Sequence, residues 1–130
     1  MLGSHRSASA IHRIGEGAQV EGTLQFSGRL EIDGTLAGSI VAIGDGASEV
    51  VVGSKGRVQG EITAATVVIS GTVQGPVRAT LRLDVLAGAR LMGDVTYRDL
   101  QIQHGAVVEG TLKPIEGEQV ALKLVANSRI

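Results

Sequence analysis

The sequence predicts an all-β, single-domain parallel β-helix of about six coils of roughly 17 residues each, and three observations predict it. The first is a glycine that recurs at Gly22, Gly38, Gly60, Gly75, Gly93 and Gly110. Two residues before each stands Val20, Leu36, Val58, Val73, Leu91 or Val108, and two residues after stands Leu24, Ile40, Ile62, Val77, Val95 or Leu112. The second is an apolar pair between successive glycine motifs: Leu30 and Ile32, Val50 and Val52, Val67 and Ile69, Leu83 and Val85, Leu100 and Ile102. Residues two apart point to the same side of an extended chain, so each repeat holds at least two short strands. The third is a turn glycine close behind each pair, at Gly34, Gly53, Gly71, Gly88 and Gly105, where a corner needs backbone angles that other residues resist.

Taken in chain order, residues 1–13 are rich in Ser, Ala and His and read as a flexible N-terminal arm. Residues 14–112 carry the repeats and form the β-helix domain. Within them the intervals between motif glycines are 16, 22, 15, 18 and 17 residues. The long interval contains Gly44-Asp45-Gly46-Ala47-Ser48, turn chemistry that bulges from a corner without disturbing the stack. Each motif glycine is expected to be the outward-facing midpoint of a strand. Leu81, Leu83 and Val85 are expected to give one face two or more large inward residues. Pro76 suits a corner or a bulge, because it cannot donate a ladder hydrogen bond. Pro114 ends the pattern and opens a tail, residues 113–130. There Val120, Leu122 and Leu124 alternate as in a strand, and the same stretch also suits a helical segment folded over the last coil.

Composition fits a narrow coil interior. The 130 residues are 43% apolar with 19 glycines, yet only Phe26 and Tyr97 are aromatic. Stacked Val, Ile and Leu fill such an interior and favour strands. Cysteine is absent, which removes disulfides and thiolate metal sites and makes a reducing cytoplasm the default compartment. No apolar run approaches the roughly twenty residues of a membrane-spanning helix. The net charge of −1 is uneven. Residues 15–112 hold seven basic and eleven acidic side chains, a poor surface for a nucleic-acid backbone, so no nucleic-acid partner is expected.

Catalytic readings find little support. A left-handed β-helix acyltransferase is the enzyme alternative, since Ile14, Val20, Phe26 and Ile32 recur every six residues. That match covers two repeats only. Such enzymes need a catalytic histidine in the coils, and this chain offers His5 and His12 in the arm and His104 at a turn, with no orienting partner in view. Gly44-Asp45-Gly46 and Gly53-Ser54-Lys55-Gly56 match neither a Walker loop nor a dinucleotide fingerprint. Glu31 and Asp33 flank an inward Ile32 and therefore face solvent. No catalytic residue, metal ligand or cofactor is expected, although a site between laterally associated coils stays open as the alternative.

The ends of the rod carry the functional expectation. Terminal coils of a solenoid expose unpaired backbone and apolar interior, and native solenoids cover them. Here the repeats begin with Ile14 and run at full apolarity to Leu112, with no strong cap before the first coil. Ile14, Val20 and Leu24 at one end and Val107, Val108 and Leu112 at the other are expected to form a polymer interface, giving end-to-end homopolymers.

The motifs Ile14-Gly15-Glu16-Gly17-Ala18-Gln19-Val20-Glu21-Gly22-Thr23-Leu24 and Leu30-Glu31-Ile32-Asp33-Gly34-Thr35-Leu36-Ala37-Gly38-Ser39-Ile40 resemble the opening of a bactofilin domain. Later stretches agree, among them Ala65-Thr66-Val67-Val68-Ile69-Ser70-Gly71-Thr72-Val73-Gln74-Gly75, and the likeness spans residues 14–112. The resemblance implies a right-handed β-helix of triangular cross-section. It implies a cytoskeletal scaffold that forms nucleotide-independent, non-polar filaments, lies in the cytoplasm against the inner face of the cell membrane, and positions cell-wall or polarity proteins. Many relatives carry a Phe in the terminal coil at the polymer contact. The matching neighbourhood here holds Val107, Val108 and Leu112, and the one Phe, Phe26, lies near the opposite end. Relatives often begin with an apolar residue and a few basic ones, which assigns membrane contact to Met1, Leu2, Arg6 and Arg13.

Overall fold

The computed structural model describes residues 11–43, 47–115 and 120–125. They form one sheet wound into a solenoid of about six turns, with twelve strands parallel and no helix among the described residues. The sheet has three faces. The first is built from β1 (Ile11–Ile14), β3 (Arg29–Ile32), β5 (Glu49–Val52) and the second halves of β7 (Ile62–Ile69), β9 (Val77–Val85) and β11 (Val95–Ile102). The second takes the first halves of β2 (Gln19–Phe26), β4 (Thr35–Ala42) and β12 (Val107–Pro114), with β6 (Arg57–Gln59), β8 (Thr72–Gln74) and β10 (Arg90–Met92) between them. The third joins the second halves of β2, β4 and β12 to the first halves of β7, β9 and β11.

Register puts like on like. Ile14, Ile32, Val52, Ile69, Val85 and Ile102 stack on the first face, Val20, Leu36, Val58, Val73, Leu91 and Val108 on the second, and Leu24, Ile40, Ile62, Val77, Val95 and Leu112 on the third. In the four inner coils these side chains are all but fully buried. Each such Val, Leu or Ile stabilises the fold by about 1.5–3 kcal/mol, which is where a chain almost without aromatics finds its core. Phe26 is buried in the first coil beside Ala42, its register partner, so the one phenylalanine is a core residue.

Coil length varies at the corners, while the faces stay constant. The 15-residue interval from Gly60 to Gly75 turns through a two-residue corner, Ser70-Gly71. The 17-residue interval from Gly93 to Gly110 turns through four, Gln103 to Ala106, closed by the Ala106 N–H donating to the Gln103 carbonyl at 3.1 Å. Short corners nest on long ones. A Cβ on Gly34 would strike the carbonyls of Gly15 and Ala18 in the four-residue corner below it. The 18-residue interval adds one more residue where β9 bulges relative to β7 and β11. Leu81 lies at that bulge and is 45% exposed, so it does not join the inward ladder expected of it.

The long interval contains the segment after Ala42, of which residues 44–46 lie outside the described residues. Ser48 brings the chain back into the stack. It is buried, its hydroxyl oxygen accepts the Ala65 N–H at 2.9 Å, and its carbonyl accepts the Thr66 N–H at 2.9 Å. Pro76 follows the corner glycine Gly75, is exposed, and contributes its carbonyl to the ladder by accepting the Ile62 N–H at 3.0 Å.

The motif glycines are not outward midpoints of flat strands. They form the corner between the second and third faces, with φ of 138–144° from Gly38 onward, a region that side chains rarely allow. At that angle the missing Cβ points along the stack axis. On Gly38, Gly60, Gly75, Gly93 and Gly110 it would enter the carbonyl of the motif glycine one coil earlier. Coils spaced about 4.8 Å apart can turn together at this corner only if no side chain stands between them.

Candidate polymer interface

At the N-terminal end, β1 pairs only with β3 and β2 only with β4, so one backbone edge of each is unpaired among the described residues. β1 begins at Ile11, so the first coil includes three residues that the sequence assigned to the arm; residues 1–10, with Met1, Leu2, His5 and Arg6, lie outside the described residues. Ile14 is buried at 7% exposure, whereas Val20 and Leu24 are only partly buried. Among the described residues, Gly22 has open space where its counterparts in every later coil meet a backbone carbonyl. His12 holds the register position that Leu30 fills one coil on, placing a polar group at the foot of an apolar ladder.

Arg13 belongs to the body. Its guanidinium lies 3.9 Å from Glu31 and 3.5 Å from Asp33, and Arg29 bridges Glu31 at 3.1 Å and Glu49 at 3.7 Å. These outward charges tie the first three coils together across one face. All are substantially solvated, so each pair contributes at most about 1 kcal/mol. Glu31 and Asp33 are therefore partners of arginines on an outer face. A similar exposed pair joins Arg82 and Asp84 at 2.9 Å, and the carboxylate raises the already high pKa of that arginine.

The C-terminal end is built differently. β12 pairs with β10 and β11 on one side, and on the other with a thirteenth strand, β13 (Val120–Val125), which runs antiparallel. The register runs from Val107 opposite Val125 to Leu112 opposite Val120, across the Gly110 corner. The tail is thus a strand, which resolves the choice between strand and helix. It also corrects the expectation of inward ladders running uncovered to both ends. Val108 and Leu112 are 2% and 5% exposed, while Val20 and Leu24, at the opposite ends of the same two ladders, are partly open. On the first face the last coil stays partly open at Leu100 and Ile102. Neither was singled out from sequence as a contact, although both belong to the last apolar pair of the repeat.

The six expected interface residues therefore fall into two groups at opposite ends of the rod. Ile14, Val20 and Leu24 lie in a coil with a free edge; Val107, Val108 and Leu112 lie in a strand paired on both sides. His104 is exposed in the turn before β12, and no group of three His, Cys, Asp or Glu suited to a metal ion occurs among the described residues. No helix among them is long and apolar enough to cross a membrane.

Compared with known proteins, residues 12–113 match the family model described as bactofilin, polymer-forming cytoskeletal. Comparisons with curated proteins and with solved structures give no match.

Proposed function

Because this chain belongs to the bactofilin family of polymer-forming cytoskeletal proteins, we propose that it assembles end to end into non-polar filaments without nucleotide. The observation that carries this reading is the edge of β1 and β2, unpaired among the described residues, with Val20 and Leu24 partly open beside it. An open strand edge over an apolar interior templates addition of another chain, and solenoids that stay monomeric cover it. Two copies meeting about a two-fold axis at this edge pair their strands antiparallel. The antiparallel pairing of β13 on β12 supports that geometry, since it crosses a glycine corner without a break in register. Ile14, Val20 and Leu24 are the proposed contact at one end and Val107, Val108 and Leu112 at the other.

The filament is proposed to act as a scaffold in the cytoplasm, with Met1, Leu2 and Arg6 of each arm touching the inner face of the membrane. Each arm binds weakly, but many arms on one polymer raise the effective affinity by orders of magnitude. Cell-wall or polarity proteins are the proposed clients.

Negative-stain microscopy of the full chain with nucleotide and metal removed tests the assembly: filaments are expected, and monomeric rods alone at micromolar concentration would overturn it. Sedimentation with anionic liposomes tests the arm, with binding expected for the full chain and lost on removal of residues 1–10. Equal sedimentation of both would sink the membrane assignment and leave the filament reading standing.

A further inference from the structure

The two ends of the rod differ in one respect that bears on when it polymerises. Among the described residues the N-terminal edge is open, while the C-terminal edge is covered along Val107–Leu112 by the chain's own β13. Every other strand runs parallel to its neighbours, as coils of one solenoid must, so β13 is no seventh coil. It cannot be followed by another turn of the same kind. What it occupies is the backbone edge of β12, the strand in which two inward ladders end at Val108 and Leu112.

We infer that β13 is a displaceable lid on a second polymer contact, and that a second copy of this chain takes the β12 edge when β13 leaves it. The inference rests on the end-to-end assembly proposed above. A rod with a single self-complementary end joins one partner and stops as a dimer, and a rod with two such ends grows without limit. The position of β13 therefore decides between dimer and filament.

The energetics suit a switch. β13 is a single six-residue strand paired on one side only, among the described residues, which places it at the low-stability end of the fold. Only residues 116–119 separate it from the described end of the preceding chain, so it competes at an effective concentration on the order of millimolar. A second copy must therefore reach a higher concentration to take the β12 edge than it would need at an uncovered one. Weakening or removing β13 lowers the concentration at which filaments form.

The test compares three chains by critical concentration for sedimentation and by filament length in negative stain: residues 1–130, residues 1–115, and the full chain carrying Ala121→Pro with Leu122→Pro. Neighbouring N–H groups in a strand point to opposite sides, so one of the two prolines must remove a donor facing β12. Circular dichroism checks that each chain keeps its β-sheet. The shortened chain and the double-proline chain are expected to form longer filaments at a concentration at least tenfold lower than the full chain. A synthetic peptide of residues 118–127, added to the shortened chain, is expected to shorten its filaments. If the shortened chain fails to fold, the double-proline chain carries the comparison alone. Equal critical concentrations, with filaments in all three, would overturn the lid and leave the polymer intact. Weaker assembly on loss of β13 would make that strand part of the contact, which also overturns the lid. Absence of polymer from every chain would overturn both the lid and the assembly on which it rests.

Discussion

Gly75 lies on Gly60 so closely that a Cβ on Gly75 would enter the Gly60 carbonyl oxygen, and its φ of 138° aims that missing atom straight along the stack. The same relationship repeats from Gly38 to Gly110 and ends at Gly22, under which nothing among the described residues lies within 4 Å. One corner thus reports on the interior of the rod and on its open end.

Gly75→Ala and Gly22→Ala should separate these two roles. At Gly22 alanine meets only backbone strain, φ being 111°, and should cost about 1–3 kcal/mol. At Gly75 the strain adds to a collision with backbone that cannot move without parting two coils. A loss above about 4 kcal/mol, or failure to fold, is expected in chemical denaturation followed by circular dichroism. Equal losses at the two positions would mean that the stack adapts to a side chain at this corner.

Leu83 and Leu81 are close in sequence and opposite in environment, 1% and 45% exposed. Leu83→Ala should cost about 2–5 kcal/mol by leaving a cavity in a close-packed ladder. Leu81→Ala should stay within about 0.5 kcal/mol, as substitutions at exposed positions do. Denaturation midpoints of the two variants measure the difference, and a large loss from Leu81→Ala would contradict the bulge.

Val20→Arg and Leu24→Arg place charge at the open N-terminal edge, where both side chains are partly exposed. Each should leave the thermal midpoint within a few degrees of the parent chain and abolish sedimentable polymer. Val108→Arg, in contrast, buries a charge at a position 2% exposed and should destabilise the monomer by about 3 kcal/mol or more. Filaments that survive both N-terminal substitutions would move the contact away from this edge.

Ser48→Ala tests how the chain returns to the stack after its longest excursion. The Ser48 hydroxyl accepts the part-buried Ala65 N–H at 2.9 Å, and alanine leaves that donor without its partner. A loss of about 1–3 kcal/mol is expected, with hydrogen exchange accelerated at Ala65. Unchanged exchange there would show that water replaces the hydroxyl.

The repeat, its length and most of the core were legible because their causes are local. Alternation with a period of two is written into each segment, and in a solenoid the residue that packs on Val58 is its own counterpart one coil later, Val73. Periodicity in sequence is then contact in space. Val20 and Leu24 stand in the first coil of their ladders for the same reason, since the first repeat in sequence is the first to pair in space. Leu81 was misplaced because a bulge is decided by the neighbouring strands, and its apolar character carried no sign that β9 holds one residue more than β7.

By itself, then, the sequence determined a parallel coil of about six turns, the ladders that fill it, and its family. Tertiary structure alone decided three things. It turned the motif glycines from strand midpoints into a corner, because the direction of an absent Cβ depends on φ and on the coil beneath. It placed Arg13 among the carboxylates of the first coils, because β1 begins at Ile11. And it laid Val120–Val125 antiparallel on β12, because six alternating residues suit many partners until the edge that receives them exists.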